Sequence, residues 1–122
     1  MNILLDSVIL IDHFNGIRAA TSYLRRTEGS SVISVITRAE VLSGFDAAAA
    51  VLALPLLDRF QTLPIDRDTA DRAAQLRREH RWRLPDALQA ALADIHGLTL
   101  ATRNTRDFPP AKFKFAVEPY KL

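Results

Sequence analysis

The stretch that decides the fold is NILLDS at residues 2–7, a short apolar run that ends at Asp6. A brief apolar segment bounded by polar residues is typical of a buried strand. The next stretch, SVILIDHF at residues 7–14, predicts a helix that turns Val8 and Ile11 inward. A buried strand that ends at an acid and leads directly into a helix predicts the first unit of an α/β sheet.

The alternation of strands and helices continues along the chain. Strands are predicted at residues 2–5, 31–35, 62–65, 98–102 and 113–118. Helices are predicted at residues 7–14, 19–26, 37–45, 47–60, 66 or 68 to 81, and 85–96. Pro55 is expected to end or kink the fourth helix. This order predicts parallel βαβ units, and right-handed crossovers then cover both faces of an open sheet.

Size and composition indicate one globular domain at residues 1–122. Apolar residues make up 48% of the 122 residues and charged residues 25%, which is ordinary for a globular protein. No apolar run approaches the roughly 20 residues that span a bilayer, and the first residues lack the basic start of a signal peptide. The absence of cysteine excludes disulfides and thiolate metal sites. We therefore expect a cytoplasmic protein without a membrane segment.

Positive charge concentrates in one stretch of a chain whose net charge is +2. Between residues 72 and 83 there are five arginines and one acid, Glu79: Arg72, Arg77, Arg78, Arg81 and Arg83. Arginine suits bidentate phosphate binding, although a solvated helix face gives the same pattern. Trp82 lies among them, and packing against its own helix is favoured over stacking on a base.

Four acids lie where apolar runs end or helices begin: Asp6, Glu40, Asp86 and Asp107. Each has a local explanation. Asp6 suits a helix N-cap, Thr37-x-x-Glu40 matches a capping box, Asp86 follows Pro85 in a first turn, and Asp107 suits a turn. In open parallel sheets, however, ligands bind at the carboxyl ends of strands, and all four acids are expected at that edge.

Gathered carboxylates need a cation. Two of them about 5 Å apart repel each other by roughly 3 kcal/mol at an effective dielectric of 20. Hard oxygen ligands suit Mg²⁺ or Mn²⁺. His13, His80 and His96 show no metal-ligand spacing, and the sequence has neither a glycine-rich phosphate loop nor a Gly-x-Ser-x-Gly elbow.

Four segments together resemble the PIN-domain ribonucleases, and within them the VapC toxins of toxin–antitoxin pairs. They are ILLDSVILID at residues 3–12, ISVITRAEVLSG at 33–44, LPDALQAALA at 84–93 and LTLATRNTRDF at 98–108. The segments come in the family's order. The resemblance implies a PIN fold, with a five-stranded parallel sheet between layers of helices, and an Mg²⁺- or Mn²⁺-dependent endoribonuclease.

The resemblance also implies roles for particular residues. Asp6, Glu40 and Asp86 match the acidic site, in which Asp6 and Asp86 hold the principal metal ion, and Ser7 supports Asp6 by hydrogen bonding. Many relatives carry Asp at the position of Asn104.

The fourth corner of the site is therefore open between Asn104, which offers only a neutral oxygen, and Asp107. Asp12 also matches a position that is often acidic, with a secondary role.

The family implies an RNA substrate, a VapB-like antitoxin, a homodimer and a toxin–antitoxin hetero-oligomer. The apolar helix at residues 47–57 is the candidate dimer surface. Asn104 leaves open an alternative, in which a catalytically weakened PIN domain only binds RNA or antitoxin. A phosphoacceptor receiver domain is disfavoured. Such a domain needs a second acid beside Asp6, where this chain has Ser7, and a lysine where it has Arg103.

Overall fold

The computed structural model describes residues 2–122. The strands are β1 (Ile3–Leu5), β2 (Ser31–Ser34), β3 (Thr62–Leu63), β4 (Thr99–Ala101) and β5 (Ala116–Val117). The helices are α1 (Ser7–Phe14), α2 (Arg18–Arg26), α3 (Val35–Ser43), α4 (Ala47–Leu57), α5 (Arg67–His80) and α6 (Leu84–His96). All strand pairs are parallel, in the order β3-β2-β1-β4-β5. The predicted α/β class and five-stranded parallel sheet are confirmed.

The sheet separates two hydrophobic clusters, which makes the three layers. Leu4 packs on one face with residues of α5 and α6, and Leu5 packs on the other with residues of α1 to α4. Successive side chains of a strand point to opposite faces, so the central strand β1 contributes to both clusters. Both Leu4 and Leu5 are fully buried, as the short apolar run predicts.

The start of α3 differs from the prediction. The helix begins at Val35, because the hydroxyl of Ser34 accepts a hydrogen bond from the backbone N–H of Thr37 at 3.0 Å. Thr37 is therefore inside the helix, and the capping box predicted for Thr37 and Glu40 is wrong. Glu40 lies in the second turn of α3 instead of the first.

Three other elements differ from the prediction. α4 continues through Pro55 and ends at Leu57 rather than near residue 60. Strands β3 and β5 have two residues each, shorter than expected. Both lie at the edges of the sheet, where a short strand leaves few unpaired backbone groups exposed.

Trp82 packs in the core. Its side chain is buried, stacks on the ring of His80 at 4.2 Å between centroids, and also contacts Phe108 and Phe113. Its burial agrees with the prediction that Trp82 packs within the protein. The prediction that it packs against its own helix is wrong in detail, because Trp82 follows the end of α5 and two of its ring partners, Phe108 and Phe113, come from the chain after β4. Within residues 2–122, no helix is long and apolar enough to cross a membrane.

The order of the strands locates a crevice at the carboxyl edge of the sheet. The chain moves outward from β1 through β2 to β3, then returns to the other side of β1 to form β4. The switch in strand order therefore lies between β1 and β4, where parallel α/β sheets bind their ligands. Asp6 directly follows β1 and Thr102 directly follows β4.

Candidate metal centre

Asp6 occupies this crevice. Its side chain is only 8% exposed. One carboxylate oxygen, Oδ2, accepts a hydrogen bond from the hydroxyl of Thr102 at 2.6 Å. The other, Oδ1, accepts the backbone N–H of Ser7 at 2.9 Å and lies 3.5 Å from Nε2 of Gln89. These contacts fix the carboxylate's orientation at the switch point. Ser7 supports Asp6 through its backbone, not its hydroxyl.

The pKa of Asp86 is raised by its surroundings in the site. It lies in the first turn of α6, next to Pro85. Burial raises its pKa most, the charges of Asp6, Asp107 and Glu40 raise it further, and the charge of Arg83 lowers it, so that the pKa rises from 3.8 to about 6. Three acids from β1, α3 and the loop after β4 thus act on a fourth at the start of α6. The structure brings the four sequence-predicted acids into one neighbourhood.

Asn104 and Asp107 are partners rather than alternatives. The side-chain amide of Asn104 donates to Oδ2 of Asp107 at 3.0 Å, and its Oδ1 accepts the backbone N–H of Asp107 at 3.3 Å. Both ends of the amide are therefore engaged within the loop. The backbone N–H of Asn104 in turn donates to the Thr102 hydroxyl at 3.0 Å. The Asn104 side chain orients Asp107, whose charge reaches Asp86.

Asp12 belongs to a separate cluster. Its buried carboxylate accepts two hydrogen bonds from Arg103, at 2.6 and 3.0 Å, and one from the hydroxyl of Tyr120 at 2.6 Å. Burial acts to raise the pKa of Asp12, but the bonds from Arg103 and Tyr120 and the charge of Arg103 outweigh it and lower the pKa. Since Arg103 stands between Thr102 and Asn104, this ion pair ties the site loop to α1.

Two polar residues of this neighbourhood were missed by sequence reasoning. Thr102 and Gln89 both contact Asp6, from 96 and 83 residues away. Thr102 ends an apolar strand, and Gln89 lies within an alanine-rich helix. A polar side chain inside an otherwise apolar, buried helix face is the signal that could have found Gln89, because a buried polar group needs a partner.

The donors present fit a hard divalent cation. The four acids offer only oxygen atoms, and their mutual repulsion raises the pKa of Asp86, which a bound cation would relieve. Across residues 2–122, no three His, Asp or Glu side chains converge into a ready-made ligand cage. Mg²⁺ does not need such a cage, because it keeps several waters and is held by one or two carboxylates.

A groove of mixed charge adjoins Asp107. This cavity of about 290 Å³ has the acids Glu79 and Asp107 in its wall together with the basic residues Arg106 and Lys112 and the ring of Phe113. In the arginine-rich stretch, Arg72 pairs with Asp94 at 2.9 Å. The other four arginines are exposed: Arg77, Arg78, Arg81 and Arg83. Positive side chains thus lie beside the site and along α5.

Comparison with known proteins places this geometry among relatives. A sequence model of the PIN domain matches residues 3–114. Ribonuclease VapC10 of Mycobacterium tuberculosis is 40% identical over 114 residues, covering 88% of this chain and 86% of that protein.

Solved structures agree. One from a toxin–antitoxin complex of Klebsiella pneumoniae has a TM-score of 0.89 and 38% identity, covering 99% of this chain and 100% of that one. FitAcB of Neisseria gonorrhoeae has a TM-score of 0.81 and 26% identity, with coverage of 98% and 99%.

Proposed function

Because this chain belongs to the PIN-domain family, we propose that it is a VapC-type toxin, an endoribonuclease that hydrolyses RNA phosphodiester bonds and is neutralised by a cognate antitoxin. The observation that carries the proposal is the carboxylate of Asp6, which Thr102 and Ser7 hold at the switch point and which Gln89 contacts from α6, the helix that also carries Asp86. We also propose that residues 1–122 form one PIN domain. The 40% identity to a ribonuclease supports the activity.

Asp6 and Asp86 hold the principal ion, which is Mg²⁺ with Mn²⁺ as a substitute. When bound, such an ion activates water and neutralises charge on the phosphoryl oxygens. Asp6 is the more rigid ligand, since Thr102 and Ser7 fix both of its oxygens. Asp86 is the ligand whose charged form is the more costly without a cation.

The other residues tune the site. Asp107 supplies the fourth carboxylate, held in place by the amide of Asn104, and Glu40 adds negative charge from α3. Together the two carboxylates increase the attraction for a cation. They also repel a phosphate group unless a bound cation offsets their negative charge. No protein nucleophile is required, which agrees with the absence of cysteine and of a catalytic triad.

RNA reaches the site along the groove that contains Asp107, Arg106 and Lys112. Arg106 and Lys112 flank Asp107 on the groove wall, and the exposed arginines of α5 extend the positive surface. Phosphate contacts of this kind make binding weaken as salt rises. Bound RNA therefore presents its backbone to the acids, while the basic side chains offset repulsion between phosphate and carboxylates.

A VapB-like antitoxin is the protein partner, and a homodimer is the second assembly. The similarity to a chain of a solved toxin–antitoxin complex supports the antitoxin. Helix α4 supports the homodimer, because Val51 is 62% exposed and Leu52 is 81% exposed. Apolar side chains of this size, side by side on one helix, favour association.

The experiment is cleavage of end-labelled RNA by the purified chain, with Mg²⁺, with EDTA, and with Mn²⁺ added back after EDTA. Wild type should cut in both metals and stop in EDTA. Asp6→Asn should be slower by at least roughly 100-fold, because even residues that only support metal ligands cost 10- to 100-fold. Asp68→Asn, an exposed acid in the first turn of α5, is the matched control and should behave as wild type.

Equal cleavage by Asp6→Asn and wild type would end the proposal. Metal-independent RNA binding without cleavage would identify the chain as the weakened binding module instead. A gel-shift assay of the same samples makes that distinction, since it detects bound RNA whether or not it is cut.

A further inference from the structure

Gln89 is a buried amide beside a proposed metal ligand. Its side chain is 1% exposed. Its Nε2 donates to the hydroxyl of Thr37 at 2.7 Å and lies 3.5 Å from Oδ1 of Asp6. Its Oε1 is buried and has no hydrogen-bond partner within residues 2–122.

Stability alone does not explain this residue. A buried carbonyl oxygen without a donor opposes folding, and the neighbouring residues of α6 are buried alanines and leucines. A leucine or methionine at position 89 would fill similar space without an unsatisfied atom. What the amide adds is the pair of hydrogens that point to Thr37 and toward Asp6.

The direction of the amide follows from its partner. The Thr37 hydroxyl has one hydrogen and donates it to the backbone oxygen of Leu5 at 3.2 Å. It can therefore only accept from Gln89, which must present its NH₂ group and turn Oε1 away. Leu5, Thr37 and Gln89 form a continuous hydrogen-bonded chain, which we call the buried bridge.

The buried bridge joins the three elements that carry acids. Asp6 directly follows Leu5 on β1. Glu40 is three residues after Thr37 on α3, and Asp86 is three residues before Gln89 on α6. Residues three apart lie on the same face of a helix. α3 therefore contributes Thr37 to the bridge and Glu40 to the crevice. α6 likewise contributes Gln89 and Asp86.

We propose that Gln89 is a positioning residue that sets the spacing of the acids. Through the buried bridge it fixes α6 against α3 and β1. Through its contact with Asp6 it also orients the carboxylate that would hold the divalent cation. The inference rests on the metal-dependent activity proposed above. Loosening the bridge lets the mutually repelling acids separate when no cation is bound. The cation must then draw them together, so binding weakens.

The first test is Mn²⁺ binding by Gln89→Leu, measured by the loss of the electron paramagnetic resonance signal of the free ion. The second is the rate of RNA cleavage as a function of Mn²⁺ concentration. We expect Mn²⁺ affinity to fall roughly 10- to 100-fold, the range for residues that orient metal ligands. The midpoint of unfolding without metal should stay at or above the wild-type value, and saturating Mn²⁺ should restore most of kcat. A residue with a merely structural role would lower the midpoint and leave Mn²⁺ affinity unchanged.

Two further variants sharpen the result. Gln75→Leu makes the same substitution on the exposed face of α5 and should bind Mn²⁺ as wild type does. Thr37→Ser keeps the hydroxyl of the buried bridge and should also bind normally, whereas Thr37→Val should weaken binding as Gln89→Leu does. If Gln89→Leu does not fold, Gln89→Met, which keeps the chain length, takes its place.

The outcomes separate the two proposals. Wild-type Mn²⁺ affinity in Gln89→Leu, alongside metal-dependent cleavage by wild type, overturns the positioning role and leaves the proposed function standing. Failure of wild type to bind Mn²⁺ overturns both.

Discussion

Replacing Asp86 with asparagine should make the metal-free protein more stable above pH 6. The pKa of Asp86 is raised from 3.8 to about 6 by burial and by the charges of Asp6, Asp107 and Glu40. Below pH 3.8 the carboxyl is protonated in both folded and unfolded chains, and Asp86 and asparagine are nearly equivalent. As pH rises through the window from 3.8 to 6, the unfolded chain loses its proton first, so the folded state of wild type becomes less favourable.

The magnitude follows from the pKa. The pKa rises by about two units, and each unit corresponds to about 1.36 kcal/mol. Above pH 6 the charged carboxylate would therefore lower the free energy of unfolding by about 3 kcal/mol. Because the side chain is partly exposed and salt screens the neighbouring charges, we expect about 1–2 kcal/mol in practice. The free energy of unfolding of Asp86→Asn should therefore exceed that of wild type by this amount at pH 8 and come close to it at pH 4, near the lower end of that window.

Urea unfolding in EDTA at pH 4 and pH 8 measures this difference directly. Asp68→Asn is the control, since this acid is also in the first turn of a helix but is exposed; losing its interaction with the helix dipole should cost about 0.3–1 kcal/mol. Added Mg²⁺ should stabilise wild type more than Asp86→Asn, because only wild type keeps both principal ligands. Equal stability of Asp86→Asn and wild type at pH 8 would show that neither burial nor the neighbouring acids disfavour the charged form of Asp86 in the folded protein.

Four other substitutions test three separate parts of the structure. Arg103→Ala leaves the Asp12 carboxylate buried with Tyr120 as its remaining partner and should lower the free energy of unfolding by about 2–3 kcal/mol, less than for a fully buried pair because Arg103 is partly exposed; an unchanged urea midpoint would contradict the role of this ion pair. Asn104→Ala should lower kcat/KM roughly tenfold and Asp107→Asn by more, and the reverse order would make Asn104 the direct participant. Leu52→Glu should convert a dimer into a monomer near 13.6 kDa in light scattering without lowering the unfolding midpoint; a dimer that persists would exclude α4 as its interface.

The fold was predictable because its cues are local. The apolar run that ends at Asp6 and the glycine at position 97, which caps α6 in a left-handed conformation with φ of 64°, are both visible in a few residues. The boundaries that failed depend on competition between neighbours. Ser34 and Thr37 are both good N-cap residues, and only the structure shows that Ser34 caps α3 while Thr37 is buried.

The candidate site was predictable as a set of acids but not as a network. The carboxyl edge of a parallel sheet gathers residues that follow its strands, which is why Asp6 and Asp107 could be chosen. Asp86 could be chosen because it lies in the first turn of a helix and matches the family's motif. The partners that orient them are another matter. Gln89 and Thr102 reach Asp6 from distant parts of the chain. The apolar helix around Gln89 signals that its amide has a partner, but no residue near Gln89 or Thr102 identifies that partner as Asp6.

The choice between Asn104 and Asp107 could not be made from the sequence for a similar reason. Residue type alone favours the carboxylate for charge and the asparagine for its position in the motif. The hydrogen bonds between their side chains and backbone depend on the conformation of the loop after β4. The ion pair between Arg103 of this loop and Asp12 of α1 holds that conformation in turn.

The anomalous-difference density of a crystal soaked in Mn²⁺, at a concentration that supports RNA cleavage, tests directly whether Asp6 and Asp86 hold the metal ion. We expect a manganese peak in direct contact with the carboxylates of Asp6 and Asp86, with Glu40 and Asp107 close by. A manganese ion bound elsewhere, or no peak at these carboxylates, would contradict it.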